Sequence, residues 1–222
     1  MAVRFRDTPC GSKVHFARSN LQVNLRHPEP GVIARDTSKF AFSAEPVKKF
    51  AGKGHWFELR VEDFSGASLN LLGIGFTSTD PGTLAPAYGE EHAVEPELPG
   101  VPDEIPKSYV AGYTRSCYWD GVRQEIEPMF KTVKPYTIFQ IGVWATLAGC
   151  FEVYIDRRLA LAFDPSLRGL EPINTEMPLW AFVDCAGGLR KATLLIDSVP
   201  PNPDEEGTPE PPGGGGEFGD FE

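Results

Sequence analysis

The sequence predicts an all-β fold, a two-sheet antiparallel β-sandwich, on three observations. Apolar residues alternate with polar ones at a spacing of two in one segment after another. Turn-forming residues, 23 glycines and 21 prolines, punctuate these segments along the chain. No segment keeps a 3.6-residue apolar period through three turns. About a dozen short strands with frequent turns stack as two sheets around one core.

The strands come in order along the chain. Residues 39–43 alternate and put Phe40 and Phe42 on one face. Residues 55–62 alternate throughout, so Phe57, Leu59 and Val61 are expected inward, with Glu58, Arg60 and Glu62 in water. Leu72, Ile74 and Phe76 share a face, and the glycines opposite them, Gly73 and Gly75, predict close approach of another backbone or layer. Phe139, Ile141 and Val143 form one inward row and Phe151, Val153 and Ile155 another. Residues 159–163 come after a short turn at Asp156-Arg157-Arg158. Residues 179–183 and 192–196 are nearly unbroken apolar runs, as buried strands are. Trp180 reads as core, while Trp56 and Trp144 fall on outward phases.

Residues 1–199 are expected to form this domain. Between residues 81 and 106, six prolines and a cluster of acids predict a long surface excursion. From 200 to 222 the composition falls to Pro, Gly and acid, and too little apolar area remains to offset the entropy of ordering, which predicts a disordered tail. That stretch holds seven of the acidic residues and no basic one, so the net charge of −10 leaves −3 for the body, against electrostatic binding of nucleic acid. The four cysteines, Cys10, Cys117, Cys150 and Cys185, lie too far apart for a Cys-x-x-Cys metal pattern. The N-terminus has no apolar run of the signal-peptide kind, which predicts reduced thiols and a cytoplasmic location. No apolar run of about 18 residues predicts a membrane span.

The order of landmarks resembles the neuralized homology repeat (NHR) domain of neuralized-like proteins. The most specific stretch is Leu72-Gly73-Ile74-Gly75-Phe76-Thr77-Ser78-Thr79-Asp80-Pro81, similar to the family's Leu-Gly-Phe-Thr-x-x-Asp-Pro run. Pro178-Leu179-Trp180-Ala181-Phe182-Val183-Asp184 resembles its Pro-Leu-Trp-Ala motif. Weaker likenesses surround Phe5, Gly11-Ser12-Lys13-Val14, Ile33-Ala34-Arg35, residues 40–47 and Pro106-Lys107-Ser108-Tyr109-Val110, so the resemblance runs from about residue 5 to 198. It implies a bent antiparallel sandwich of the SPRY/NHR type that binds protein or peptide ligands, as neuralized binds short segments of Notch ligands. In that family a RING domain or a SOCS box supplies the link to ubiquitin transfer. Neither pattern is present here, so a ligase role is expected only as a substrate adaptor working with ubiquitin-ligase components supplied in trans. The family's Asp-Val-Tyr-Gly is Asp184-Cys185-Ala186-Gly187 here, and its Asn-Gly hairpin is Asp156-Arg157-Arg158, where a tight turn without glycine is less comfortable. Both departures bear on ligand specificity rather than on fold.

Enzyme signatures are poor. Gly-x-Ser-x-Gly, His-Glu-x-x-His and the phosphate-binding loop are absent, and Gly73-Ile74-Gly75 lacks the third glycine of a dinucleotide site. The best carboxylate pair for a glycosidase or lectin-like sandwich, Glu152 and Asp156, spans about 13 Å of strand, beyond the roughly 5–9.5 Å that paired catalysis needs. His15, His27, His55 and His92 are scattered and read as surface or locally hydrogen-bonded groups. The chain is therefore expected to be a non-enzymatic recognition module without cofactor or metal. Its candidate contact residues are the aromatic and basic groups of non-strand segments. These are Arg115, Tyr118 and Trp119 in one polar loop, and the turn bearing Cys185, Ala186, Gly187 and Arg190, with Arg35 as a further anchor. For Trp119 the competing reading is an aromatic folded back onto the sandwich. For Arg35 and Arg190 it is pairing with local carboxylates.

Overall fold

The alternating segments pair as two antiparallel sheets in a computed structural model of the chain, which describes residues 4–6, 14–19, 21–25, 40–64, 72–84, 102–113, 115–129, 133, 137–185 and 189–202. The eight-stranded sheet runs in the spatial order β1 (Val14–Ala17), β2 (Gln22–Leu25), β14 (Leu189–Leu194), β5 (Gly54–Phe64), β10 (Phe139–Thr146), β11 (Phe151–Ile155) and β12 (Arg158–Phe163). A short β4 (Lys49–Phe50) pairs with the start of β5. The six-stranded sheet runs β3 (Phe40–Phe42), β13 (Trp180–Asp184), β6 (Gly73–Thr77), β7 (Ser108–Tyr113), β8 (Ser116–Trp119) and β9 (Val122–Glu125). Among the described residues no helix is long and apolar enough to cross a membrane.

The inward rows meet between the sheets. Phe57, Leu59, Val61, Ile141, Val143, Phe151 and Val153 join Ile74, Phe76, Tyr109, Cys117, Trp119, Ala181 and Val183 in one buried cluster. Most of its ring pairs pack edge to face, an arrangement their quadrupoles favour, while Trp119 and Phe163 lie tilted at 35°. Phe57 meets Phe76 at 5.3 Å between centroids, Phe76 meets Phe151 at 6.4 Å, and Trp119 lies 4.8 Å from both Tyr109 and Phe163. The glycines of β6 make room for its neighbour β7 in the same sheet. A Cβ on Gly75 would collide with the carbonyl oxygen of Tyr109, and one on Gly73 with the hydroxyl of Tyr113.

Two tight turns share one device. Asp120 and Gly121 join β8 to β9, and Asp156 and Arg157 join β11 to β12, with φ of 48°, 79°, 48° and 66°. Left-handed pairs of this kind match the twist of a hairpin. In each, the aspartate clamps the neighbouring strand: the Lys107 N–H donates to Asp120 Oδ1 and the Gln140 N–H to Asp156 Oδ1, both at 2.8 Å. Asp156-Arg157 thus makes the turn that its lack of glycine seemed to discourage. A non-glycine residue in this region costs on the order of 1–2 kcal/mol. Arg157 offsets part of that cost by bonding Glu58 Oε2 at 3.2 Å and the Val199 carbonyl at 2.8 Å.

Part of each outer face is covered as well. On the six-stranded sheet, Phe40, Phe42, Val110 and Phe182 pack under Ile105 and Leu84, which two single-turn 3-10 helices (Pro81–Thr83 and Pro102–Glu104) bring into place. Residues 85–101 of the expected excursion lie outside the described residues. On the eight-stranded sheet, residues 195–200 cross the outward side chains, and the Trp56 indole N–H donates to Ser198 Oγ at 3.0 Å. Three expectations change in consequence. Glu58, expected in water, is 3% exposed and paired with Arg157. Trp180 is only half-buried. Pro200, placed in the tail by composition, is buried, while residues 203–222 lie outside the described residues.

Gly75→Ala is expected to lower stability by about 3 kcal/mol, the upper end for forced overpacking, as measured by urea unfolding. Burial holds the Glu58 carboxyl above its ordinary pKa, against the opposing pull of Arg157. A raised carboxylate contributes stability that is full at acid pH and is lost as pH rises through the folded value. Relative to wild type, Glu58→Gln should therefore gain stability as pH is raised from the ordinary carboxylate range to neutrality. A gap that stays flat or narrows with pH in urea titrations contradicts this.

Candidate functional site

Strands β2, β5, β7, β9 and β13 all finish at one end of the sandwich. The ends of those strands (Leu25, Phe64, Tyr113, Glu125 and Asp184) are neighbours in the two ladders. Arg115 lies at this end and is exposed, loosely facing Glu127 at 3.9 Å. A pair this open to water contributes little. Arg190 is half-buried at the start of β14. Arg35, Ala186 and Gly187 lie outside the described residues.

Two candidates turn inward. The stretch after Arg115, expected as a loop, is strand β8, because it pairs with β7 and β9. Alternation along it buries Trp119, which is 4% exposed and donates its indole N–H to the Glu171 carbonyl at 2.9 Å. The folded-back reading of Trp119 is therefore the one observed. Cys185 is 1% exposed and belongs to the main core. Neither side chain offers surface to a partner. Cys117, Cys150 and Cys185 carry free thiols, and burial pushes that of Cys117 up to about 12.

Tyr118 points the other way, onto the outer face of the six-stranded sheet, and residues outside the candidate set join it there. Its ring meets that of Tyr113 edge-on at 5.2 Å. The Tyr113 hydroxyl donates to Asp184 Oδ2 at 2.7 Å, and Asp184 is buried. Burial, and then the Asp184 charge, push the Tyr113 hydroxyl well above its ordinary range, so it stays a donor. Arg123 stands opposite Tyr118 in the β8–β9 ladder and donates its Nε–H to Ser116 Oγ at 2.8 Å. The result is a row of two half-buried tyrosines and an arginine fixed by a hydroxyl, running toward the loop end.

Tyr113 reaches this face because β7 breaks its own alternation. Tyr109 and Ala111 point inward, and strict period two would send Tyr113 after them. A bulge at Gly112, with φ of 124°, inserts one residue and turns Tyr113 out. That glycine was the one sequence signal for Tyr113. Ser116 and Arg123 left none, since polar residues on a half-exposed strand are ordinary.

A glycosidase-like centre at Glu152 and Asp156 finds both carboxylates in structural use. Glu152 accepts from the Tyr154 hydroxyl at 2.6 Å and Asp156 caps the turn. His55 is buried, with its ring nitrogens against the Val47 and Thr175 carbonyls, a locally bonded role as expected.

Solved structures place this architecture. The neuralized NHR1 domain of Drosophila melanogaster superposes with a TM-score of 0.56 at 18% identity, over 89% of this chain and 99% of that one. The fold is that of an NHR domain. A solution structure of the NHR domain in Drosophila melanogaster Neuralized gives 0.55 at 16% identity, over 88% of this chain and 92% of that one. The chain also superposes on the TRIM65 PSpry domain, with a TM-score of 0.51 at 15% identity, over 88% of this chain and 90% of that one. No protein-family model matches the chain, and no curated protein matches it by sequence.

Trp119→Ala is expected to cost about 4 kcal/mol of stability, as for other buried tryptophans. Tyr118→Ala should cost about 1 kcal/mol or less, given its half-exposed surface site. Tyr113→Phe removes one donor from the buried Asp184 carboxylate and should cost about 1–2 kcal/mol. Urea unfolding of the three variants separates interior from surface, and equal losses for Trp119→Ala and Tyr118→Ala would contradict the assignment.

Proposed function

We propose that this chain is a non-enzymatic recognition module that grips a peptide or a protein surface with the outer face and loop end of its six-stranded sheet. The observation that carries the reading is the row formed by Tyr118, Tyr113 and Arg123, with Arg115 at its rim. It joins amphipathic rings to donors on three paired strands, β7, β8 and β9. Tyrosine and arginine dominate binding energies because they bring large contact area with few rotors to freeze. NHR and SPRY domains are protein-interaction modules, and the shared fold supports the same class of role. Arg190 remains a candidate at the start of β14, and Arg35, Ala186 and Gly187 remain candidates from the sequence, whereas the buried Trp119 and Cys185 belong to the core.

An Arg115→Ala/Tyr118→Ala double variant should melt within a few degrees of wild type yet recover several-fold less partner from lysate, quantified by mass spectrometry. Unchanged recovery of every protein would place binding elsewhere on the molecule. A second reading, adaptor for a ubiquitin ligase supplied in trans, rests on the resemblance to neuralized-like proteins. It expects a cullin or RING subunit among the recovered proteins under mild lysis.

A further inference from the structure

We infer that the Tyr118–Arg123 surface recognises a carboxylate side chain of its partner, so that the ligand is an acidic peptide segment. This inference rests on the reading that the face is a protein-binding surface, and it names the chemistry of the group bound.

Three features point to it. Arg123 is exposed, yet its guanidinium is held on one side: Nε–H donates to Ser116 Oγ at 2.8 Å. Anchoring through Nε leaves the two terminal nitrogens as an outward fork, the geometry that takes a carboxylate in two parallel bonds. Among the described residues Arg123 forms no ion pair with a carboxylate, unlike Arg6, Arg18 and Arg157, which face Asp80, Glu62 and Glu58. Its cross-strand neighbour Tyr118 presents a second donor, for among the described residues its hydroxyl has no hydrogen-bond partner. The Tyr113 hydroxyl is already committed to Asp184. Two uncommitted donors side by side, one cationic, complement an anionic acceptor. Of the described acids on this face, Asp184 is buried under Tyr113, and Glu125, opposite Ser116 in the ladder, is the exposed one. That acid is the group against which an incoming carboxylate must compete.

The experiment selects binders from a displayed library of random short peptides on the full chain, then measures synthetic copies by fluorescence polarisation. Selected peptides should share an Asp or Glu at a fixed position. Arg123→Ala should weaken them by roughly tenfold or more, as loss of a charge-assisted pair does. Replacing the shared acid by its amide should weaken wild type equally and leave the Arg123→Ala variant unaffected, which makes the two groups energetically coupled. Glu125→Gln should tighten binding, and Arg123→Lys, which keeps the charge but loses the fork, should restore only part of it. Arg123 is exposed, and melting curves of each variant check that the fold is retained. Peptides that need Tyr118 but neither an acid nor Arg123 would overturn the inference while leaving the recognition surface in place. Peptides that bind only when they carry phosphoserine would overturn the carboxylate assignment. If no selected peptide depends on Tyr118, Arg115 or Arg123, the surface itself is not a peptide site.

Discussion

The relay of rings between the two sheets is the contact on which the rest of the molecule depends. Phe57 and Phe76 meet across the interface, Phe151 extends the contact, and Trp119 closes it against Tyr109 and Phe163. Edge-to-face packing fixes distances as well as contacts, so it sets how near the sheets lie and which residues of each strand look inward. The parity of β8 is fixed in this way. Because Trp119 must enter the core, Tyr118 must leave it, and the outer surface acquires its aromatic row as a by-product of interior packing.

Much of the architecture was legible in the sequence because a strand with one buried face writes that face at every second position. β5, β10 and β11 carry the inward rows expected of them. The close approach announced by Gly75 is the Tyr109 carbonyl. Legibility failed where burial acts on both faces. Glu58, Trp56 and Trp144 sit on outward phases and are nevertheless covered: a segment distant in sequence returns across the first two, and Trp144 packs by Tyr154 with its N–H on the Lys53 carbonyl. Alternation describes one interface at a time and carries no record of a second layer.

The candidate site was legible only in part, for a related reason. Adjacent aromatics among polar residues mark an amphipathic strand as readily as a loop, and the stretch ending at Trp119 is the former. A loop there would place both of its aromatics at the surface, whereas pairing with β7 and β9 sends them to opposite sides. Tyr113 depended on a single inserted residue at Gly112, which reverses the facing of the next residue along the strand. Asp184, read only as part of a motif, is the acceptor that holds Tyr113 in place.

The bond from Arg157 to the Val199 carbonyl has a consequence for how the two outer surfaces communicate. With the Trp56 bond to Ser198 it fastens residues 195–200 across the back of the eight-stranded sheet. The tyrosine row looks out from the opposite side. Both sheets therefore stand between the strap and the row, so a disturbance at either surface reaches the other only through the shared interior.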